Sequence, residues 1–229
     1  MNILGKFSLF TRTCRFSNIE GYEDIKNIIE RTLETDENYN LLLVGPHASS
    51  KTLFLMGILD ICKGNDAVFD GSNTTNRILD VLEDKRPKVI LIDEIDKMSS
   101  RQFQNQLLNF MESSRAKVEQ QSKQYDFTIG GAKVFATAND LSRLSKPLQS
   151  RFRKLFLQRY TEEQFIKVST KVLPKISENL ARYIRDIVYR NQGDIRDVIS
   201  VGKLVRRSDG PSDVKQLITT LLKYGEEKE

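Results

Sequence analysis

Gly45-Pro46-His47-Ala48-Ser49-Ser50-Lys51-Thr52 sets a lysine and a threonine at the end of a turn rich in small residues. Such a segment can wrap backbone N–H groups around phosphate oxygens, and the positive end of a following helix adds to the field. Lys51 is suited to neutralise β- and γ-phosphate oxygens, and Thr52 to offer its hydroxyl to Mg2+. Gly45, Pro46, His47, Ala48, Ser49, Ser50 and Leu53 complete the expected nucleotide-binding set, with His47, the only histidine, as a neutral spacer rather than a base. Ser50 departs from the pattern G-x-x-x-x-G-K-S/T, which expects glycine there. Serine is small enough to fit provided that its φ is not strongly positive.

Asp93-Glu94 is the second chemical signal, about forty residues after the loop. It follows Val89-Ile90-Leu91-Ile92, a continuous apolar run of the kind buried on both faces of a parallel sheet. Acids at the carboxyl end of such a strand stand where α/β sheets place their ligands. Asp93 there can hold Mg2+, and Glu94 can polarise a water for attack on a γ-phosphate. Together with the loop the pair reads as a Walker B element.

Alternating strands and helices must carry these groups. Tyr39–Val44, Ala67–Asp70, Val89–Ile92, Lys133–Ala138 and Lys154–Leu157 read as five parallel strands. Helices are expected over Lys51–Cys62, Thr75–Asp84 and Gln102–Met111, the last with Phe103, Leu107, Phe110 and Met111 on one face. Ile25, Ile28, Ile29 and Leu33 predict an amphipathic helix before the first strand. Between Arg115 and Gly131 two alternating arms flank the polar Gln120-Gln121-Ser122-Lys123, the pattern of an inserted β-hairpin. After Arg159 strand signals stop. Thr161-Glu162-Glu163-Gln164 is a capping box, and further helices are expected over Ser177–Arg190, Asp194–Arg206 and Ser212–Tyr224, with Asp209-Gly210-Pro211 as a turn. The expected organisation is an N-terminal arm at 1–17, an α/β domain at 18–159 and an all-helical lid at 160–229.

The chain has 229 residues, 39% hydrophobic and 29% charged, which fits one α/β core with a small helical appendage. No apolar stretch is long enough to span a bilayer, and Met1 to Phe16 lacks the pattern of a signal peptide. Cys14 and Cys62 are isolated, so neither a metal site nor a disulfide is expected, and a cytoplasmic location is the default. A net charge of +5 leaves room for nucleic acid without requiring it. The basic residues gather at Lys6, Arg12 and Arg15, at Arg151, Arg153, Lys154 and Arg159, and at Lys203, Arg206 and Arg207.

Taken together, the loop, Asp93-Glu94, an Asn ending the fourth strand, an Arg before the fifth and the helical lid resemble an AAA+ ATPase. The resemblance implies a five-stranded parallel αβα sandwich that binds ATP and Mg2+ and hydrolyses ATP. Within the family the hairpin is similar to the one carried before sensor 1 by the Holliday-junction branch-migration motor, MoxR-type ATPases and protease unfoldases. The resemblance assigns Asn139 to sensor 1, where its amide can hold the attacking water, and Arg196, in Gly193-Asp194-Ile195-Arg196, to sensor 2. Arg151 matches the arginine finger given to a neighbouring subunit; Arg153 is the competing position, and Arg151 is preferred because it precedes the apolar Phe152. Ile19, Gly21 and Tyr22 fall where the family's linker lines the adenine pocket. The implied assembly is a homo-oligomer, a hexameric ring.

For the substrate three classes stand open: DNA remodelling, protein remodelling of the MoxR kind through a protein substrate or adaptor, and a nucleotide-gated assembly switch. Gly71-Ser72-Asn73-Thr74-Thr75 replaces the aromatic pore loop of protein-threading members with small polar residues, which disfavours threading. The branch-migration motor carries a winged-helix DNA-binding domain after its lid, and none is expected here.

Overall fold

The computed structural model describes residues 16, 19–47, 49–62, 64–71, 78–98, 101–113, 115–120, 123–129, 132–173, 176–191, 193–206 and 209–225; at 102, 113, 115–120, 123–125 and 222–225 it describes the backbone alone. The arm before Phe16, Ala48, the segment 72–77 and the hairpin tip at 121–122 lie outside the described residues.

The apolar runs form the interior of a five-stranded parallel sheet. β1 (Leu41–Val44), β3 (Val89–Asp93) and β6 (Lys133–Ala138) are buried, and β2 (Asp66–Asp70) and β7 (Arg153–Phe156) are the edges, in the order β2-β3-β6-β1-β7. Side chains alternate between the two faces, as a period of two requires. Leu41, Leu43, Leu91 and Phe135 pack with α1 (Glu23–Glu34) and α2 (Lys51–Cys62) through Ile29, Phe54 and Ile58. Leu42, Val44, Ile90 and Ile92 pack with α3 (Ile78–Lys85) and α4 (Arg101–Ser113) through Leu79, Leu82, Phe103 and Leu107. Each fully buried Leu, Ile or Phe contributes about 1.5–3 kcal/mol, so this two-sided core fixes the sheet that carries the site.

The hairpin forms as expected, β4 (Arg115–Gln120) antiparallel to β5 (Lys123–Thr128), with Gln120 opposite Lys123. Phe127 and Ile129 sink into the α3/α4 side of the core, and the Arg86 guanidinium lies 4.9 Å over the Phe127 ring. Then α5 (Lys146–Ser150) leads into β7.

The chain divides into two compact units, Met1–Gln158 and Arg159–Glu229. The second is the helical lid: α6 (Glu162–Val172), α7 (Glu178–Arg190), α8 (Ile195–Leu204) and α9 (Pro211–Gly225) around Phe165, Ile184, Val188, Val198, Val201 and Ile218. Thr161 and Gln164 close the capping box: the Gln164 N–H donates to Thr161 Oγ1 and the Thr161 N–H to Gln164 Oε1. Some ends differ from expectation for local reasons. Pro211 is the first residue of α9 rather than part of the turn, since its missing N–H is no loss there, and the Gly210 N–H donates to Asp213 Oδ2. Helix α8 stops at Leu204 because Val205 is extended and the Arg206 N–H turns to Asp209 Oδ2.

Among the described residues no helix is long and apolar enough to cross a membrane. Burial, and then the Asp66 carboxylate, push the Cys62 thiol up to about 12, which keeps it protonated and unreactive at neutral pH.

Candidate nucleotide site

Two close approaches fix the loop after β1. The Gly45 N–H donates to the Ala138 carbonyl, and a side chain at Gly45 would meet the Leu157 carbonyl at 2.5 Å. Lys51, the first residue of α2, is buried and donates from Nζ to the carbonyls of Gly45 (2.7 Å) and Pro46 (2.5 Å) and to Ser49 Oγ (3.2 Å). Its ammonium is therefore aimed into the turn. Pro46 also accepts from Ser49 Oγ. Leu53 and His47 are exposed.

Ser50 does not meet the condition under which serine fits easily. Its φ is +65°, in the left-handed region, so the glycine position keeps a glycine conformation with a side chain present. A non-glycine residue there costs on the order of 1 kcal/mol or more. Ser50→Gly is accordingly expected to raise the unfolding free energy by about 1 kcal/mol while leaving ATP affinity intact. Urea denaturation with parallel ATP titration checks this; a less stable glycine variant would show that the serine side chain offsets its strain.

At the ends of β3 and β6 the acids meet three hydroxyl and amide groups. Thr52 Oγ1 donates to Asp93 Oδ2 at 2.9 Å, which brings the two candidate Mg2+ ligands together. Asp93 Oδ1 accepts from Thr137 Oγ1 at 2.5 Å. Glu94 has a φ of +51°, and its carboxylate lies 2.7 Å from Lys97 Nζ and 3.5 Å from Asn139 Nδ2. The hydrogen bond to Glu94 raises the Lys97 pKa, so this ammonium stays charged beside the candidate water-activating acid. Gly71, after β2, donates its N–H to the Asp93 carbonyl at 2.7 Å, and a Cβ there would sit 2.0 Å from the Glu94 carbonyl. What reads in the sequence as the start of a pore loop thus also serves as a close-fitting floor under the acidic turn.

The segment leading away from Asn139 is tied down by buried polar side chains. Asp96 is buried in the 3-10 turn Ile95–Lys97, and its Oδ2 accepts from the N–H groups of Asn139 and Asp140, at 3.1 and 3.0 Å. Gln104 on α4 donates to the Arg143 carbonyl and accepts from the Ser145 N–H; Gln149 donates to the carbonyls of Leu141 and Leu144. Asp140 caps the short turn Leu141–Arg143, and its hydrogen bonds from the Ser142 hydroxyl and N–H hold its carboxyl below the usual range.

Arg151 closes α5 and donates from Nε to Glu112 Oε1 at 3.1 Å, with a second, shorter contact from its terminal nitrogen. Arg153 is exposed on β7. Tyr22 is left-handed at the N-cap of α1; its hydroxyl donates to the Gln158 carbonyl and its ring meets Phe54 edge-on. Ile19 is buried in the same cluster and its carbonyl accepts from Lys26 Nζ, while Gly21 has a positive φ. Ile19 and Tyr22 therefore lie beside Phe54 of α2, the helix that follows the loop, with Gly21 between them in sequence. Arg196 belongs to the helical unit: it sits in the first turn of α8, exposed, 3.8 Å from Asp194.

A parallel sheet in this order, with a phosphate loop after β1 and paired acids after β3, defines a P-loop ATPase core. Residues 41–160 match the family model described as ATPase family associated with various cellular activities (AAA), and the chain belongs to that family. It is 30% identical over 95 residues to the sliding-clamp-loader large subunit of Enterobacteria phage T4, a match covering 42% of this chain and 25% of that protein. It is 27% identical over 124 residues to the same subunit of Escherichia phage RB69, covering 54% and 32%. The matched stretches therefore span about a third or less of these curated relatives. Among solved structures, the Thermotoga maritima RuvB Holliday junction branch migration motor superposes with a TM-score of 0.63 at 24% identity, covering 88% of this chain and 70% of that one. A mutant of the same protein gives 0.70 at 21%, covering 90% and 72%. At these identities the likeness is one of fold.

Proposed function

We propose that this chain is a Mg2+-dependent ATP hydrolase that works as a subunit of a homo-oligomeric ring, hexameric by resemblance, and acts on DNA. One observation carries the hydrolytic part: at the carboxyl ends of β3 and β6 the neighbouring acids Asp93 and Glu94 each meet a partner, Thr52 at 2.9 Å from Asp93 and Asn139 at 3.5 Å from Glu94. The residues fit Mg2+, because a hydroxyl and a carboxylate side by side are hard oxygen donors and this ion takes one or two protein ligands plus phosphate oxygens. When bound, the ion neutralises charge building on the phosphates. Lys51 binds the β- and γ-phosphates, Glu94 accepts a proton from the attacking water, and Asn139 orients that water. Arg151 supplies positive charge to a neighbour's nucleotide, Arg196 takes the sensor 2 role that the resemblance assigns to it, and Ile19, Gly21 and Tyr22 hold the adenine.

DNA is favoured as the substrate by the relatives, a sliding-clamp loader and a Holliday junction branch migration motor, and by the net charge of +5. The clamp-loader matches also support a second reading, in which the remodelled partner is a protein ring placed on DNA. The test is ATPase activity and binding against single-stranded, duplex, primer-template and four-way-junction DNA across a salt series. Stimulation is expected, with log affinity falling linearly against log salt. Replacing Lys117 and Lys123 of the hairpin by alanine should lower that slope by about 2 and leave basal hydrolysis unchanged. Stimulation by a protein partner with no response to any DNA would overturn the DNA assignment and leave a protein-remodelling ATPase.

A further inference from the structure

Thr137 is buried among apolar strands with no exposed surface, yet both of its hydroxyl bonds go to the acidic turn. Its Oγ1 accepts from the Glu94 N–H at 2.8 Å and donates to Asp93 Oδ1 at 2.5 Å. The sheet register explains the meeting: Ile92 pairs with Ala136 across β3 and β6, so the next residue, Thr137, falls beside Asp93. Ala136 and Ala138 pack with the α3/α4 core, while Thr137 points as Phe135 does, toward the side of α2 and hence of Thr52.

We propose that Thr137 is a positioning residue for the reaction: a single hydroxyl that sets the Asp93 carboxylate for Mg2+ and holds Glu94 in its strained backbone conformation. This rests on Asp93 and Glu94 being the acids that serve ATP hydrolysis. Asp93 is gripped from two sides, Oδ2 by Thr52 and Oδ1 by Thr137, and the Thr137 bond fixes the carboxylate plane independently of α2. Glu94 at φ +51° persists only where its surroundings over-determine it. Its N–H is taken by Thr137 and its carbonyl accepts from the Lys97 N–H, so the hydroxyl holds the peptide on one side of the Glu94 Cα and Lys97 the peptide on the other. A β-branched strand residue that only filled space would be equally well served by valine, which has the same shape and no hydroxyl.

The test separates methyl from hydroxyl. Thr137→Val keeps the volume and removes both hydrogen bonds; Thr137→Ser removes the methyl and keeps both. Three readouts are compared with the parent: steady-state ATPase, Mn2+ uptake with a slowly hydrolysed ATP analogue followed by electron paramagnetic resonance, and thermal melting. For Thr137→Val, kcat should fall by about 10²-fold, as displacement of a reacting group by about 1 Å can produce, and half-saturating Mn2+ should rise, while nucleotide affinity without metal stays within a few-fold. Thr137→Ser should keep parental kcat and Mn2+ affinity even though it melts at the lower temperature of a trimmed core residue. Parental kcat and Mn2+ affinity in Thr137→Val would overturn the proposal, as would a Thr137→Ser protein as impaired as Thr137→Val. Glu94→Gln run alongside keeps the two claims apart: if it hydrolyses at the parental rate, the assignment of the acids has failed rather than that of Thr137.

Discussion

Glu94→Gln protein is expected to bind ATP with near-parental affinity and to hydrolyse it about 10²- to 10⁴-fold more slowly, the range lost when a general base is removed. The amide keeps the shape of the carboxylate, but it is a far weaker proton acceptor. It also removes the charge that Lys97 pairs with at 2.7 Å; that pair is partly exposed and screened by solvent, so its loss should not unfold the turn. Lys51→Ala should behave oppositely. Removing the ammonium aimed into the loop should weaken ATP binding by on the order of 10²-fold, since hydrogen bonds to charged groups contribute about 1.5–3 kcal/mol each and the proposed role of Lys51 is to bond the β- and γ-phosphates. Calorimetric ATP titration and phosphate release on the same preparations separate the two phenotypes. Loss of binding in Glu94→Gln, or tight binding in Lys51→Ala, would exchange or dissolve these roles.

Arg151→Ala is expected to lower kcat by about 10³-fold or more, the scale associated with an arginine finger. In the isolated subunit the Arg151 guanidinium bonds Glu112 of its own chain. Both side chains are nearly half exposed, so the pair is worth about 0–1 kcal/mol and a neighbour's triphosphate can displace it. On the proposal that Arg151 acts across a subunit boundary, mixing Arg151→Ala with Glu94→Gln subunits should restore part of the activity that each lacks alone. The gain comes from interfaces that join an intact Glu94 to an intact neighbouring Arg151. Absence of recovery in verified mixed assemblies would mean that Arg151 works within its own chain or only through Glu112.

Much of the fold was legible because its signals are local. Short apolar runs such as Leu41–Val44 and Val89–Ile92 can hardly be anything but inner strands, and Thr161 with Gln164 spells a helix start within four residues. Lys51, Thr52, Asp93 and Glu94 were legible for the same reason, as each stands at a fixed offset from its strand. What escaped depends on register between distant segments. Thr137 looks like an ordinary strand former until parallel pairing sets it beside Asp93, and Asp96 looks like a surface acid until it is found buried under the Asn139 and Asp140 amides. Lys133 is the same kind of case: it reads as the polar start of a strand, but its buried amine closes the end of α1 by donating to the Leu33 and Thr35 carbonyls, and burial lowers its pKa. Ser50 shows the limit from the other side, since its type was visible but its positive φ was not.

The most direct measurement of the central claim is single-turnover hydrolysis of ATP labelled at the γ-phosphate, by the parent and by Glu94→Gln, with Mg2+ and with excess chelator. The account predicts phosphate release by the parent only with Mg2+, and bound, uncleaved ATP on Glu94→Gln under the same conditions. A parent protein that binds ATP with Mg2+ but releases no phosphate with any DNA in the panel, or a Glu94→Gln protein that keeps pace with it, would contradict the assignment of Thr52, Asp93, Glu94 and Asn139 as one hydrolytic centre.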